Sequence, residues 1–186
     1  MLIIRGMKKT FLIIGMLLSF PAFAKVEVHF TPSKACEESI IDLINNSNKT
    51  IDAAVYSINN THIVSALKKA HNRGVRLRIL TDKLQASSKS SKVLDLYEFG
   101  INIKVNSKFK IEHNKFAIFD HSSVSTGSFN WTNPASAKNS ENCVFLIKDK
   151  HTVNAYQQRF ENLWLINSKT KSDNWFERKL YQRQNL

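Results

Sequence analysis

Segments rich in β-formers alternate with amphipathic helical segments through the first half of the chain. Strands are expected at 26–30, 50–56 and 75–80, and helices after the first two strands and at 92–99, beyond a Ser/Lys-rich loop at 85–91. Alternation of this kind predicts an α/β fold whose sheet is largely parallel in its first half.

The second half of the sequence changes character. Short strands are expected at 101–105, 115–119, 123–127 and 143–148, and a closing helix at 152–165. Their brief connections predict antiparallel additions to the same sheet. The expected architecture is a mixed, partly parallel β-sheet sandwiched by helices, forming one domain over 25–167. The basic segment 168–186 is either a short docked helix or a mobile tail.

Residues 1–24 have the pattern of a signal peptide. Arg5, Lys8 and Lys9 precede an apolar stretch at 11–20, and Ala22-Phe23-Ala24 fits the small-residue cleavage motif. We expect cleavage after Ala24 and a periplasmic or secreted protein. An uncleaved membrane anchor is the alternative, although the apolar stretch is short against the roughly 20 residues that span a bilayer.

The two cysteines, Cys36 and Cys143, have no CxxC spacing and do not resemble a zinc site. In an oxidising compartment they could form a disulfide, and two buried apolar cysteines are the alternative.

The chain carries a formal net charge of +12, and because Arg5, Lys8 and Lys9 are the charged residues of 1–24, the remainder keeps +9. A hydrophobic fraction of 42% excludes a disordered basic tail protein, so the charge belongs to a folded surface. Such a surface favours a polyanionic partner, either nucleic acid or an anionic membrane.

Two polar pairs at i,i+2 spacing predict one pocket. Side chains alternate along a strand, so His113 and Lys115 share a face, and Ser128 and Asn130 share one in the same way. Phe129 and the residue after Asn130 are expected in the core.

These residue types suit a phosphodiester reaction. Lys115 balances charge on the non-bridging oxygens, Ser128 and Asn130 donate hydrogen bonds to them, and His113 attacks phosphorus or transfers a proton. Glu141 is the carboxylate expected to hold the second imidazole nitrogen of His113. No metal ion or cofactor is expected.

Asp120 has the strand parity of Phe116 and Ile118 and not that of His113. We therefore expect Asp120 to play a structural role, such as capping the turn at 121–123.

The order His113-x-Lys115, four residues, Asp120, six residues, Gly127-Ser128 resembles the signature of the phospholipase D superfamily. The Asn of Gly-Ser-Phe-Asn stands two residues after the Ser, and with the segment 138–142 it resembles the small exported bacterial endonucleases of the Nuc type. The segments 30–32 and 52–57 also take part in the resemblance.

The resemblance implies a two-step displacement. One His attacks phosphorus to form a phosphohistidine, a second His protonates the leaving oxygen, and water then releases the phosphate. Because the chain carries one copy of the motif, the resemblance implies a homodimer with both His113 side chains at its two-fold axis.

Several side chains near the motif are candidates for tracking a phosphate backbone. They are Lys83, Lys104, Lys108, Phe109 and Lys110. The favoured partner is DNA, single- or double-stranded, with RNA and a weak membrane contact left open. The favoured function is an exported, metal-independent endonuclease. The alternatives are a phospholipase D-type lipid phosphodiesterase and a non-catalytic DNA-binding or uptake protein.

Overall fold

The structure is a computed structural model that describes residues 24–185, so the expected signal peptide lies outside the described residues except for Ala24. Within these residues the chain forms seven strands and seven helices. The strands are β1 (Lys25–Phe30), β2 (Thr50–Val55), β3 (Arg76–Thr81), β4 (Asn102–Val105), β5 (Lys115–Phe119), β6 (Ser123–Gly127) and β7 (Asn142–Ile147). The helices are α1 (Ala35–Asn46), α2 (Thr61–Asn72), α3 (Lys83–Ala86), α4 (Val93–Glu98), α5 (Asn133–Ala137), α6 (Lys150–Ile166) and α7 (Lys169–Gln184).

The strands form one mixed sheet in the order β1-β7-β6-β5-β2-β3-β4. The pairs β2·β3 and β3·β4 are parallel, and the other four pairs are antiparallel. The predicted α/β architecture is therefore confirmed.

Two details of the predicted sheet are wrong. The strand β4 was expected to be an antiparallel addition, but it is parallel to β3 because α3 and α4 carry the chain back across the sheet, as a parallel connection requires. The strand β1 does not belong to the parallel half, since it lies at the sheet edge, antiparallel to β7.

The sheet is buried on both faces. On one face α1, α2, α4 and α7 pack on a core that includes Ile51, Ile79 and Trp131. On the other face α6 packs Phe160 and Leu163 against the sheet. Among residues 24–185, no helix is both long and apolar enough to cross a membrane.

Helix α7 is docked on the domain. Trp175 is 5% exposed and Phe176 is fully buried, and the Phe176 ring stacks on Tyr97 with centroids 4.0 Å apart. Of the two alternatives for 168–186, the structure therefore has the docked helix, which extends to Gln184.

A disulfide joins Cys36 of α1 to Cys143 of β7, with Cα atoms 5.8 Å apart. The sequence left this pairing open. The bond fixes α1 against the strand that follows Glu141.

Glu37, the next residue of α1, is a buried carboxylate that joins α1 to α2. It accepts hydrogen bonds from Asn60 Nδ2 at 2.7 Å and contacts His62 Nδ1 at 2.7 Å. Burial alone raises a carboxyl pKa, but hydrogen bonds from Ser136, His62 and Asn60 outweigh burial and lower the pKa of Glu37 to about 2.

Candidate active site

The sheet topology brings the predicted site residues together at one end of the strands, which we call the site edge. Because β5, β6 and β7 are antiparallel, the start of β5, the end of β6 and the start of β7 meet there. His113 precedes β5 and Lys115 begins it, Ser128 and Asn130 follow β6, and Glu141 precedes β7. The parallel strands β2, β3 and β4 end at the same edge.

His113 and Lys115 both lie on the ring of Tyr56, the residue that follows β2. The His113 ring meets Tyr56 edge to face with centroids 4.5 Å apart, and Lys115 Nζ stands 4.9 Å from the Tyr56 centroid. Lys115 Nζ also donates a hydrogen bond to the His113 carbonyl oxygen at 2.7 Å. The predicted common face of His113 and Lys115 is therefore present, and His113 is exposed on it.

The pKa of Lys115 is lowered from its ordinary value because burial disfavours the charged amine. The negative charges of Glu141 and Glu112 oppose this effect. The amine thus lies in a partly desolvated position, where its charge acts more strongly on a bound anion than it would in water.

Ser128 and Asn130 lie in the loop after β6 and not in a strand, but their predicted alternation holds, since Phe129 is 3% exposed and Trp131 is 2% exposed. The Ser128 Oγ accepts a hydrogen bond from the Asn142 N–H at 2.9 Å. The Asn130 Oδ1 is buried without a hydrogen-bond partner among the described residues. Both side chains are placed at the site edge.

Glu141 does not make the expected hydrogen bond to His113 within residues 24–185. Its carboxylate accepts hydrogen bonds from the Asn130 N–H at 3.1 Å and from Asn139 Nδ2 at 2.7 Å. Its own N–H donates to Thr31 Oγ1 at 2.9 Å. Glu141 therefore orders the loop that carries Asn130.

Asp120 lies at the opposite end of β5 from His113 and has a structural position, but it does not cap the turn 121–123 as expected. Its carboxylate accepts the backbone N–H groups of Asn48, Lys49 and Thr50, each at 2.8 Å. Burial raises its pKa, but these three hydrogen bonds outweigh burial and lower it. Asp120 fixes the connection between α1 and β2.

Gly127 is required where β6 leaves the sheet. Its φ is +135°, and a Cβ at this position would lie 2.4 Å from the Asn142 carbonyl oxygen. The same carbonyl accepts the N–H groups of Ser128 and Phe129. The glycine thus lets the Ser128 loop approach β7.

Lys104 is wrong as a substrate-binding candidate. It is 8% exposed, its Nζ donates to the Trp164 carbonyl oxygen at 2.7 Å, and burial lowers its pKa. It points to α6 because its position in β4 faces that side of the sheet. The other candidates, Lys83, Lys108, Phe109 and Lys110, are exposed near the site edge.

Tyr56 was missed as a site residue. It lies at the end of the predicted strand 50–56 and within the segment 52–57 of the family resemblance, and only the pairing of β2 with β5 brings it to His113. Its hydroxyl accepts a hydrogen bond from Gln85 Nε2 at 2.9 Å. The sequence feature that could have identified Tyr56 as a site residue is its position at the end of a predicted buried strand.

Within residues 24–185, no group of three or more His, Cys, Asp or Glu side chains is arranged to hold a metal ion. The site offers one imidazole, one amine, one hydroxyl, one amide and one carboxylate. Such a set suits nucleophilic attack on a phosphodiester with fixed donors for its oxygens.

Comparison with known proteins agrees with this geometry. The family described as "Cardiolipin synthase, PLD-like domain" matches residues 40–164. A phospholipase D of Rickettsia prowazekii is 34% identical over 156 residues, covering 84% of this chain and 68% of that protein. A mitochondrial cardiolipin hydrolase of Chlamydomonas reinhardtii is 35% identical over 124 residues, which are 67% of this chain but 55% of that protein.

Solved structures share the fold. Nuc from Salmonella typhimurium, a phospholipase D family member, superposes with a TM-score of 0.75 at 28% identity, covering 78% of this chain and 97% of that one. NucT from Helicobacter pylori gives a TM-score of 0.74 at 22% identity. The chain belongs to the phospholipase D superfamily, whose members are phosphodiesterases.

Proposed function

We propose that the protein is an exported, metal-independent endonuclease that hydrolyses DNA. The observation that carries this proposal is the exposed position of His113 beside Lys115 at an open sheet edge that also bears Lys108 and Lys110. A polyanionic backbone can reach such an edge from solvent. The match to nearly the whole length of Nuc adds support.

The residues divide the chemistry as follows. The His113 imidazole attacks phosphorus, a P–N bond forms, and the bond from phosphorus to the leaving oxygen breaks. A second, protonated imidazole donates its proton to that oxygen. Water then attacks phosphorus, gives its proton to the second imidazole, and the P–N bond breaks. Lys115 stabilises the negative charge on the non-bridging oxygens throughout.

The second imidazole comes from a second copy of the chain. Among the other described histidines, His71, His121 and His151 lie toward the opposite sheet edge. His62 is held by Glu37, and the His29 ring packs near Phe145. One chain therefore offers a single site imidazole, and an isologous dimer brings two together.

An exposed apolar strip supports the dimer. Val26, Val28 and Phe30 alternate along edge strand β1 and are 59%, 47% and 68% exposed on one face. Phe30 pairs in register with Asn142, whose N–H binds Ser128, so the strip reaches the site edge. Covering the strip with a second copy removes this apolar area from water.

We propose that the protein is exported, either to the periplasm or out of the cell. The Cys36–Cys143 disulfide supports it, because such bonds persist in oxidising compartments.

A lipid phosphodiesterase is the second candidate, because relatives at 34–35% identity carry the names phospholipase D and cardiolipin hydrolase. The same His113 chemistry applies to a lipid headgroup.

Purified protein incubated with single- and double-stranded DNA, RNA and cardiolipin vesicles, with and without EDTA, separates these functions. We expect DNA cleavage that persists in EDTA and is lost in His113→Ala. Headgroup release without DNA cleavage would reverse the ranking.

Sedimentation of wild type and Val28→Asp tests the dimer, since we expect the charged variant to sediment as an inactive monomer.

A further inference from the structure

A concave pocket of about 230 Å³ lies between helix α7 and the end of β4. We call it the β4–α7 pocket. Its lining is polar and basic around a small apolar base, and it consists of Lys83, Val105, Ser107, Lys171, Ser172, Asn174, Trp175 and Arg178. No acidic residue belongs to this lining.

The cations of the β4–α7 pocket form no ion pair with a carboxylate of the described part of the chain. Lys83, Lys171 and Arg178 are exposed, and none of them takes part in an ion pair within residues 24–185. On the same helix, by contrast, Lys169 pairs with Asp173. Arg183 likewise pairs with Asp95 and Glu98. Helix α7 thus pairs Lys169 within the helix and Arg183 with α4, and leaves Lys171 and Arg178 facing the pocket.

The pocket opens at the same sheet edge as His113. Lys83 follows β3 and Ser107 follows β4, where the parallel strands end beside the start of β5. Strands β4 and β5 are separated by β3 and β2, which is three strand spacings, or about 14 Å. The loop from Ser107 to His113 connects pocket and site, and Lys108 and Lys110 are exposed on it.

We propose that the β4–α7 pocket binds backbone phosphates of the nucleic acid whose scissile bond lies at His113. This inference rests on the proposed nuclease function and adds a substrate-binding site to it. In duplex DNA, where one strand advances about 3.4 Å per nucleotide along the helix axis, 14 Å corresponds to about four nucleotides. Helix α7 begins at Lys169, beyond the residues 40–164 that match the family, so the pocket depends on a segment outside that match.

The pocket is too far from His113 to affect a small diester. The double variant Lys171→Ala/Arg178→Ala should therefore leave kcat/KM for bis(4-nitrophenyl) phosphate unchanged. Both side chains are exposed, and the buried anchors Trp175 and Phe176 remain, so the variant keeps its fold. Circular dichroism checks this.

Binding is measured by fluorescence anisotropy in the full-length His113→Ala chain, which keeps the DNA intact. We expect Lys171→Ala/Arg178→Ala to weaken binding of a labelled single-stranded 20-mer about tenfold. The slope of log affinity against log salt should also fall by about 1.4, since each lost phosphate contact on a single strand removes about 0.7.

The matched control is Lys49→Ala/Arg76→Ala, which removes the same charge at the opposite sheet edge, before β2 and at the start of β3. Equal 20-mer affinities for this control and the pocket variant would overturn the proposal. Loss of binding to phosphatidylglycerol vesicles with unchanged DNA affinity would overturn it as well. If wild type does not cleave DNA but 20-mer binding still requires Lys171 and Arg178, the nuclease function fails and the pocket stands.

Discussion

His113 and Tyr56 meet edge to face, with ring planes inclined by 67° and centroids 4.5 Å apart. The amine of Lys115 lies above the same Tyr56 ring. One aromatic ring therefore contacts both His113 and Lys115, and it lies directly after β2, a strand that carries none of the polar motif residues.

Tyr56→Ala should lower kcat by about tenfold, because an aromatic pair is worth about 0.5–1.5 kcal/mol and a partly buried cation–π contact about 0.5–2 kcal/mol. Tyr56→Phe keeps the ring and should stay within about threefold of wild type. Single-turnover kinetics on DNA compares the two. Equal losses in Tyr56→Phe and Tyr56→Ala would assign the effect to the hydroxyl and its Gln85 contact instead.

Strands β5 and β6 have the predicted bounds, because alternation of side chains and the short turn between them are local properties. His113 and Lys115 therefore share a face as expected. The direction of β4 and the burial of Lys104 depend on which helices cross the sheet, and periodicity does not report that.

The hydrogen-bond partners of two carboxylates could not be predicted from the sequence either. Asp120 binds backbone groups some 70 positions earlier in the chain, and Glu141 binds the Asn130 backbone instead of His113. Backbone donors carry no residue identity, so a motif cannot reveal them. Tyr56 escaped for a related reason, since it reaches His113 only through strand pairing.

Gly127→Ala should be strongly destabilising. The residue has φ +135°, and the added Cβ would lie 2.4 Å from the Asn142 carbonyl oxygen, so β7 or the Ser128 loop has to move. We expect a loss of about 2–4 kcal/mol in the free energy of unfolding, measured with urea. Gly74→Ala is the control, since it has φ +86° but nothing within 4 Å of its Cβ. Equal losses would show that backbone strain alone is responsible.

Asp120→Ala should lower stability by about 2–4 kcal/mol, because three backbone N–H groups lose a charged acceptor. Asp120→Asn keeps one carbonyl oxygen and should lose less. The folded fraction of both variants should keep wild-type kcat, since Asp120 lies at the far end of β5 from Lys115. A kcat loss at full folding would contradict the structural role.

Glu37 should contribute a stability that depends on pH. Its pKa falls from 4.5 in the unfolded chain to about 2 in the fold, so the contribution is complete above about pH 5 and is lost as the pH falls toward 2. Glu37→Gln should cost about 1–3 kcal/mol at pH 7, and the difference from wild type should shrink below pH 4.5. Urea unfolding at several pH values measures this, with exposed Glu38→Gln as control.

The Cys36–Cys143 disulfide closes a loop with a sequence separation of 107 residues, so it restricts the unfolded chain strongly. Cys36→Ala/Cys143→Ala should lower the free energy of unfolding by about 2–5 kcal/mol. A reductant should destabilise wild type by a similar amount and leave the double variant unchanged, which thermal unfolding in both conditions measures. Asn142 precedes Cys143, and its N–H donates a hydrogen bond to Ser128 Oγ. The reduced protein should therefore lose its activity at a lower temperature than the oxidised protein. If the reductant did not change the stability of wild type, this result would contradict the disulfide.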